Sequence, residues 1–541
     1  MAEAAAAAQP GDAKAVPGWD PTRSAAGPYS PWLLVAIISI PTFMEVLDTS
    51  IANVSLDHIA GGLSISTDQA TWVLTSYLVA NAIVIPISGW LSDAIGRKRY
   101  FLISIALFTL SSLMCGLAPN LSTLVIARVL QGIGGGGLAP VEQSMLADTF
   151  PPKQRGMAFA AFAIVIVVGP VLGPTLGGYI TETWSWHWVF LINVPIGIAS
   201  FFLAHTFVHE ADAIRKDRAA RLKNGLRIDY IGVALVALGL GFLEITLDRG
   251  EREDWFSSGF IVASASIATV SLIALIIWEL NHDEPVIDLK LLKSRNFSLT
   301  LLVMGVTGMI LFGTTQLIPQ MLQQVMGYSA FDAGLALTAG GVATLVMVPF
   351  AGRLTGIVDV RLLLFPALMV QAFALWNMSH LTADISFTDA AIARLFQAAA
   401  LPFLFVPINA VAYVGLPQNK TAQASSMLNV ARNLGGTLGI SVAQTLLASN
   451  RQIHQSVLVE TLNPLDPRYN DWISKAQGAF AGVGDAAVTP VAVLYQQVQR
   501  EATMLAFLDV YRQLMIVVLI VAPLVFLMRA GKSGGGGGMA H

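Results

Sequence analysis

Gly169-Pro-Val-Leu-Gly-Pro-Thr-Leu-Gly-Gly178 lies inside a long apolar segment. Gly169, Gly173 and Gly177 fall four apart, so they line one face of a helix. A stripe without side chains lets a neighbouring transmembrane helix approach closely. Pro170 and Pro174 each remove a backbone donor, which is costly inside a soluble helix. In a membrane bundle, neighbouring helices and local backbone adjustment absorb that loss. With Gly178 closing the run, the stretch predicts a smooth, bendable helix deep in the bundle of a membrane protein that moves. A static helix contact accounts equally well for the glycines taken alone.

The rest of the chain supports a membrane setting. Hydrophobic residues make up 55% of the 541, charged residues only 12%, and the mean hydropathy is +0.66. Globular domains carry about 25% charge. A net charge of −3 gives no reason to expect a nucleic-acid partner. The single cysteine, Cys115, excludes an internal disulfide. Residues 1–32 are rich in Ala, Pro and Gly and read as a disordered tail, not a cleaved leader.

A spanning helix needs about 20 mostly apolar residues. Fourteen segments qualify, near 33–55, 70–92, 100–118, 121–146, 157–180, 188–208, 229–248, 258–280, 297–318, 333–350, 362–379, 388–412, 425–448 and 505–529. The expected fold is an all-α integral membrane protein with 14 spans and both termini on one side. With the N-terminus cytoplasmic, 21 of the 31 Lys and Arg fall in cytoplasmic loops and tails, and the short outer loops hold only Arg249 and Arg252. Lys and Arg concentrate on the cytoplasmic side, so both termini are expected there.

Two similar halves are visible. The fourth span carries Arg128-Val-Leu-Gln131 followed by Pro140, and the twelfth carries Arg394-Leu-Phe-Gln397 followed by Pro407. That pattern suggests a parallel repeat of six spans with two more inserted. The expected organisation is a tail over 1–32, a six-helix bundle over 33–208, a linker with two extra spans over 209–296, and a second bundle over 297–529. A long outer loop, 449–504, interrupts the second bundle, and a Gly-rich tail, 530–541, ends the chain.

Ionisable residues inside spans are expensive and usually functional. Glu45 and Asp48 share a face of the first span. Asp48 lies about 22 Å along its span, and Arg128 about 10 Å from the opposite surface, so their depths agree within a turn. An ion pair, or a water-filled cavity touching both, is expected. Such a carboxylate can carry a proton or hold a cationic substrate, and the pair can also serve purely as a structural clasp. Glu45 suits either a proton relay or an accessory part in substrate binding. Gln131, Gln316, Gln320, Asn409, Asn429 and Arg432 are further candidates for lining a substrate cavity. Glu244 and Asp248 are expected to be solvated at the outer end of the seventh span, and Glu142 to cap or pair near the cytoplasmic end of the fourth.

Gly132-Ile-Gly-Gly-Gly-Gly137 fits G-x-G-x-x-G, but it follows no predicted strand, and helix packing explains it better. No phosphate-binding loop, H-E-x-x-H or Cys/His cluster is present, so neither ATP hydrolysis nor metal chemistry is expected.

Gly89-Trp-Leu-Ser-Asp93-Ala-Ile-Gly96-Arg97-Lys-Arg99 resembles the signature loop of the major facilitator superfamily. In that family the aspartate and the basic residues help gate the inner face, which the resemblance assigns to Asp93 and Arg97; Gly89 and Gly96 belong to the same gate segment, where Gly96 permits a tight turn. The fourth span, with Arg128 and Gln131, resembles the family's proton-translocation motif, and Gly169–Gly178 resembles its antiporter motif. Leu47-Asp48-Thr-Ser-Ile-Ala-Asn53 and Trp186–Pro195 are similar to the fourteen-span drug:proton antiporters, closest to the EmrB-type multidrug efflux permeases. The resemblance implies the major facilitator fold and proton-coupled export of hydrophobic small molecules across a bacterial inner membrane, with the proton gradient as energy source and no cofactor. It also implies an EmrA-type periplasmic adaptor and a TolC-type outer-membrane channel as partners. An endogenous substrate such as a fatty acid, siderophore or lipid is the alternative. The second-half copy of the signature loop, Gly352-Arg-Leu-Thr-Gly-Ile-Val-Asp359, has no acid at the position matching Asp93.

Overall fold

The computed structural model describes residues 20–223, 229–383, 386–462, 465, 467–479 and 488–529. Every regular element among them is a helix. Among the described residues thirteen helices are long and apolar enough to cross a membrane, and the chain is a multi-pass membrane protein. In chain order they are α1 (Pro31–Val54), α2 (Thr67–Ile95), α3 (Arg97–Gly116), α4 (Leu121–Thr149), α5 (Pro152–Thr183), α6 (Trp188–Phe207), α7 (Tyr230–Arg249), α8 (Gly259–Asn281), α9 (Arg295–Gln324), α10 (Asp332–Thr355), α11 (Val360–Met378), α12 (Phe387–Val411) and, last, α14 (Pro490–Leu527). Between them α13 (Thr421–Thr461) is more polar, yet it packs against α9, α14 and α2. Each of the fourteen predicted segments falls on one of these helices.

Burial sorts the helices. In α4 and α5, 72% of the most apolar stretch is enclosed, against 28% in α8, which lies at the periphery with Val270, Ile273 and Ile277 outward. The inserted pair α7 and α8 pack on each other, and α7 rests against α2 and α13.

Pro170 and Pro174 do not break α5, which runs unbroken for 32 residues. Pro174 cannot donate to the carbonyl of Pro170. Ser50 Oγ of α1 donates to that carbonyl instead, at 3.2 Å. The glycine stripe faces the same helix. A Cβ at Gly169 would stand 2.7 Å from Val46 Cγ1, one at Gly173 would collide with Ser50, and one at Gly177 would press on Ile51 at 3.2 Å. Gly178 looks into open space. The other side of α5 packs on α10, where Gly341 meets Val171 and Gly352 meets Ala160. Thus α5 is held between α1 of the first half and α10 of the second.

The same contact recurs 266 residues later. Gly435, Gly436 and Gly439 lay α13 against Gly305, Phe312 and Met309 of α9. α13 then crosses to α2, where Gly89 meets the carbonyl of Ala422, as Gly156 of α5 meets that of Gly352. The glycines of 132–137 close α4 on α2 and α3: Gly132 abuts the Tyr77 carbonyl and Gly134 the backbone of Phe108.

Three expectations change. Residues 449–461 are not loop, because α13 continues to Thr461. At about 60 Å it is twice the apolar core in length. With Pro467–Ala479 and the start of α14 it forms a helical projection, tied by Gln455 to Tyr495 (3.2 Å) and His454 to Asp509 (2.7 Å). Residues 20–30 of the expected disordered tail are packed: Ala25 N donates to Thr149 Oγ1 (3.1 Å) and Asp20 N to Gln418 Oε1 (3.0 Å), joining both halves. Small alanines fit this crevice, and Ala25 and Ala26 are buried. Residues 1–19 and the glycine tail 530–541 lie outside the described residues. Finally, Glu244 is buried, because α7 turns that face to α2 and α13; it accepts from Thr437 (3.0 Å), while Asp248, half-buried, accepts from Thr75.

Gly173→Leu is expected to overpack the α1–α5 contact and cost about 1–3 kcal/mol, seen as a lower unfolding temperature of the purified protein and reduced transport. Gly178→Ala is expected to leave both unchanged.

Candidate functional site

Asp48 and Arg128 meet where five helices converge. Both side chains are fully buried, and Arg128 Nη1 lies 2.6 Å from Asp48 Oδ2. The other carboxylate oxygen accepts from Gln131 Nε2 (2.9 Å) on α4 and from Asn193 Nδ2 (2.7 Å) on α6. Arg128 Nε donates to the Val73 carbonyl of α2 (3.0 Å), and Nη1 also reaches Gln131 Oε1 (2.6 Å). The guanidinium lies over the Tyr77 ring at 4.3 Å. Gln131 passes the network to Ser112 of α3 (2.8 Å). Removing two charges from water costs several kcal/mol per ion unless both are well paired. Three donors on one carboxylate meet that requirement for Asp48, while Arg128 Nη2 has no hydrogen-bond partner among the described residues. The arrangement is enclosed by protein, and opening it requires a change of charge or separation of the helices.

Glu45 is different. It is half-buried, and it accepts from Tyr77 OH (3.1 Å) and Asn81 Nδ2 (3.2 Å) on α2. The cation acting on it is Arg432, on α13 of the other half. Arg432 Nε donates to Asn433 Oδ1 (3.3 Å), and its Nη1 has no acceptor. Asn433 in turn reaches Asn81 Oδ1 at 3.5 Å. Glu45, Asn81, Arg432 and Asn433 thus form a polar seam between the halves. Further along that seam Asn53, which is exposed, donates to Gln316 Oε1 (3.2 Å).

The other cavity candidates divide. Gln316 lies on the seam. Gln320 pairs with Gln444 (2.7 Å) between α9 and α13. Asn429 is buried and bridges the halves through Gln143 Oε1 (2.7 Å). Gln131 belongs to the Asp48 clasp and is fully buried, so it lines no cavity in this conformation. Among the described residues Asn409 bonds to the Phe405 carbonyl of its own helix (2.8 Å), and it is likewise enclosed.

At the end rich in Lys and Arg, the signature loop forms a lock. Gly96 adopts φ +99°, a conformation that favours glycine, and a Cβ there would strike Arg218 and Glu210. Arg97 pairs with Asp93 (3.7 Å) and with Asp148 of α4. It also donates to Thr421 Oγ1 (2.9 Å) at the start of α13. Thr421 donates to Asp148 (3.3 Å), so the network crosses from one half to the other. Sequence reasoning missed Asp148 and gave Asn193 no role in the site. Their only signal was a polar residue within an apolar helix.

The second half repeats the clasp without its acid. Arg394 donates to Gln397 Oε1 and to Thr314 Oγ1 (3.0 Å). Arg128, Gln131 and Asp48 each lie 266 residues before Arg394, Gln397 and Thr314. A threonine therefore stands where the first half has Asp48.

Two six-helix halves related by a repeat, with a polar seam between them and a buried ion pair in one, form the architecture of a membrane transporter. A family model, Major Facilitator Superfamily, matches residues 38–440. The chain belongs to that superfamily. It is 39% identical to the probable multidrug resistance protein EmrY of Escherichia coli K12 (84% of this chain, 88% of that one). Identity with the multidrug export protein EmrB of the same strain is 36% (94% and 98%), and with the fatty acid resistance protein FarB of Neisseria gonorrhoeae 34% (94% and 97%). Among solved structures, the proton:xylose symporter XylE shares the fold, with a TM-score of 0.58 at 14% identity, covering 93% of this chain and 96% of that one.

Arg128→Met is expected to leave Asp48 buried without its counter-ion and to cost about 3–5 kcal/mol, read as a fall in unfolding temperature. Asp48→Leu combined with Arg128→Met is expected to recover most of that stability while transport stays lost.

Proposed function

We propose that this chain is a proton-coupled antiporter of the bacterial inner membrane that exports hydrophobic compounds, working as the permease of a tripartite pump. The observation that carries the reading is the one-sided placement of charge: the acid of the arginine–glutamine clasp is present in the first half and is Thr314 in the second. A repeated scaffold with one ionisable copy suits a machine whose structural switch answers to a single proton site.

In this reading the basic end is cytoplasmic, following the distribution of Lys and Arg. A proton reaching Asp48 removes the negative charge that Arg128 balances. The guanidinium then loses its strongest contact, and α1 is freed to slide on the smooth glycine face of α5. Because α5 is also packed on α10, movement at α1 passes to the second half. Release of the proton restores the clasp. Glu45 and Arg432 face the seam where a substrate would sit, and their opposite charges suit compounds with a polar end on a hydrophobic body. The lock of Asp93, Arg97, Asp148 and Thr421, with Gly89 and Gly96 shaping the loop, closes the cytoplasmic end. The helical projection at the far end is the surface we assign to an EmrA-type adaptor, leading to a TolC-type channel. No cofactor enters the cycle, the energy coming from the proton gradient, and no enzymatic step is assigned to the chain.

An endogenous substrate is the second reading, favoured by the similarity to a fatty acid resistance protein. A fatty acid's carboxylate would face Arg432 in the same seam.

In proteoliposomes, addition of a transported lipophilic compound is expected to trigger proton movement in the opposite direction, and Asp48→Asn is expected to abolish it. Full-rate uphill transport by a properly folded Asp48→Asn variant would rule out the coupling role. A fatty acid that triggers flux while drugs do not would favour the second reading.

A further inference from the structure

Glu142 has no part in the mechanism above, and its surroundings are unusual. It lies on the second segment of α4, Leu138–Thr149, and is completely buried. The paired or capping position expected from sequence is not what the structure shows. Oε1 accepts from Ser39 Oγ of α1 at 2.6 Å. Among the described residues Oε2 makes no hydrogen bond of good geometry, and neither does Thr42 Oγ1 on α1, whose hydroxyl lies near enough to act on the carboxyl. Among the described residues no cation lies within ion-pair distance of Glu142.

The charged group acting on it is another acid, Glu45, and the cations of the elements packed against this segment act on other carboxylates. From α1 it faces Ser39, Thr42 and Glu45. From α2 come Tyr77 and Asn81, both bonded to Glu45. On α13, Asn429 is bonded to Gln143, and Arg432 acts on Glu45. Arg97 of α3 is held by Asp148, and Arg23 and Arg155 also act on Asp148. Tyr100 of α3 stands beside Gly137.

An ionised carboxyl with one hydroxyl donor is poorly compensated in such a place, whereas a protonated one needs only an acceptor. Thr42 can satisfy Oε2 either by donating to a carboxylate or by accepting from a protonated carboxyl, and only the second leaves no buried charge without a cation. Position along α1 gives the site its meaning. Ser39, Thr42, Glu45 and Asp48 follow one another every three residues, so the path from Ser39 to Asp48 is about 13 Å long. Glu45 lies in the middle and interacts electrostatically with both Asp48 and Glu142.

We propose that Glu142 is a third proton-binding carboxyl, the station between Glu45 and the basic end of the protein, so that Asp48, Glu45 and Glu142 form a proton file along α1. In each step the O–H bond of one carboxyl breaks, its proton bonds to the next carboxylate, and the negative charge moves the other way. The direction of transfer rests on the antiport reading; the proton site at Glu142 does not.

The test uses the full chain in proteoliposomes. Infrared difference spectra recorded across a pH titration are expected to show a protonated-carboxyl band that disappears in Glu142→Gln and persists in Asp48→Asn. Thr42→Val, which keeps the carboxyl, is expected to shift that band, and this serves if Glu142→Gln does not fold. Compound-triggered proton flux in Glu142→Gln is expected to fall about tenfold or more, while exchange of labelled substrate at equal concentration on both sides is retained. A band unchanged in Glu142→Gln, or a flux and pH profile equal to wild type, would overturn the proposal. A Glu142 band in a protein that shows no flux with any compound would support the proton site and overturn the antiport reading instead.

Discussion

A buried charge must be balanced, and in this protein one balance governs the first half. Asp48 and Arg128 are removed from water together, and the carboxylate is held by α4 and α6 while the guanidinium reaches α2. Neither partner can leave alone without leaving the other charge in a medium that cannot solvate it. The packing of α1, α2, α3, α4 and α6 is consequently tied to one ionisation state. A proton is the smallest ligand able to change that state. The glycine face of α5 complements the constraint: it brings α1 into close contact, with Val46, Ser50 and Ile51 seated against the glycines and Ser50 bonded to the Pro170 carbonyl.

The internal repeat shows what is scaffold and what is specialised. Gly169 and Gly173 have counterparts in Gly435 and Gly439, and the arginine–glutamine pair of α4 has one in α12. These shared features hold helices together in both halves. Asp48 and Glu45 do not recur, since Thr314 and Leu311 occupy the matching places. Arg394 therefore joins α9 and α12 through neutral partners, whereas Arg128 joins its helices through an ionisable one. The seam between halves is where Glu45 meets the field of Arg432, so the ionisable half and the cationic half act on each other.

Much of this was legible in the sequence. Apolar segment length gave the spans, the four-residue glycine period gave a close helix contact on α5 without naming α1, and matching depths brought Asp48 and Arg128 together. The shared spacing of Arg394 and Gln397 announced the repeat. What escaped was set by distant parts of the chain. Asn193, Asp148 and Glu142 each depend on partners from other helices, and no local pattern encodes those meetings. The burial of Glu244 follows from the docking of α7 on α13, which the sequence of α7 alone does not dictate. The extension of α13 beyond the core escaped because its polar residues read as loop, yet helix formation needs only a face to pack against, and α14 supplies it. The tail over 20–30 was similarly ordered by a crevice between both halves.

The central claim is that the charge of Asp48 sets the arrangement of the two halves. Spin labels at Arg99 and Leu362, exposed on α3 and α11 of opposite halves, would report it by electron–electron distance measurement, since Cys115 is buried and stays unlabelled. The account predicts that Asp48→Asn at neutral pH shows the distance distribution that the wild-type background reaches only when acidified. Identical distributions in both proteins at every pH would contradict it.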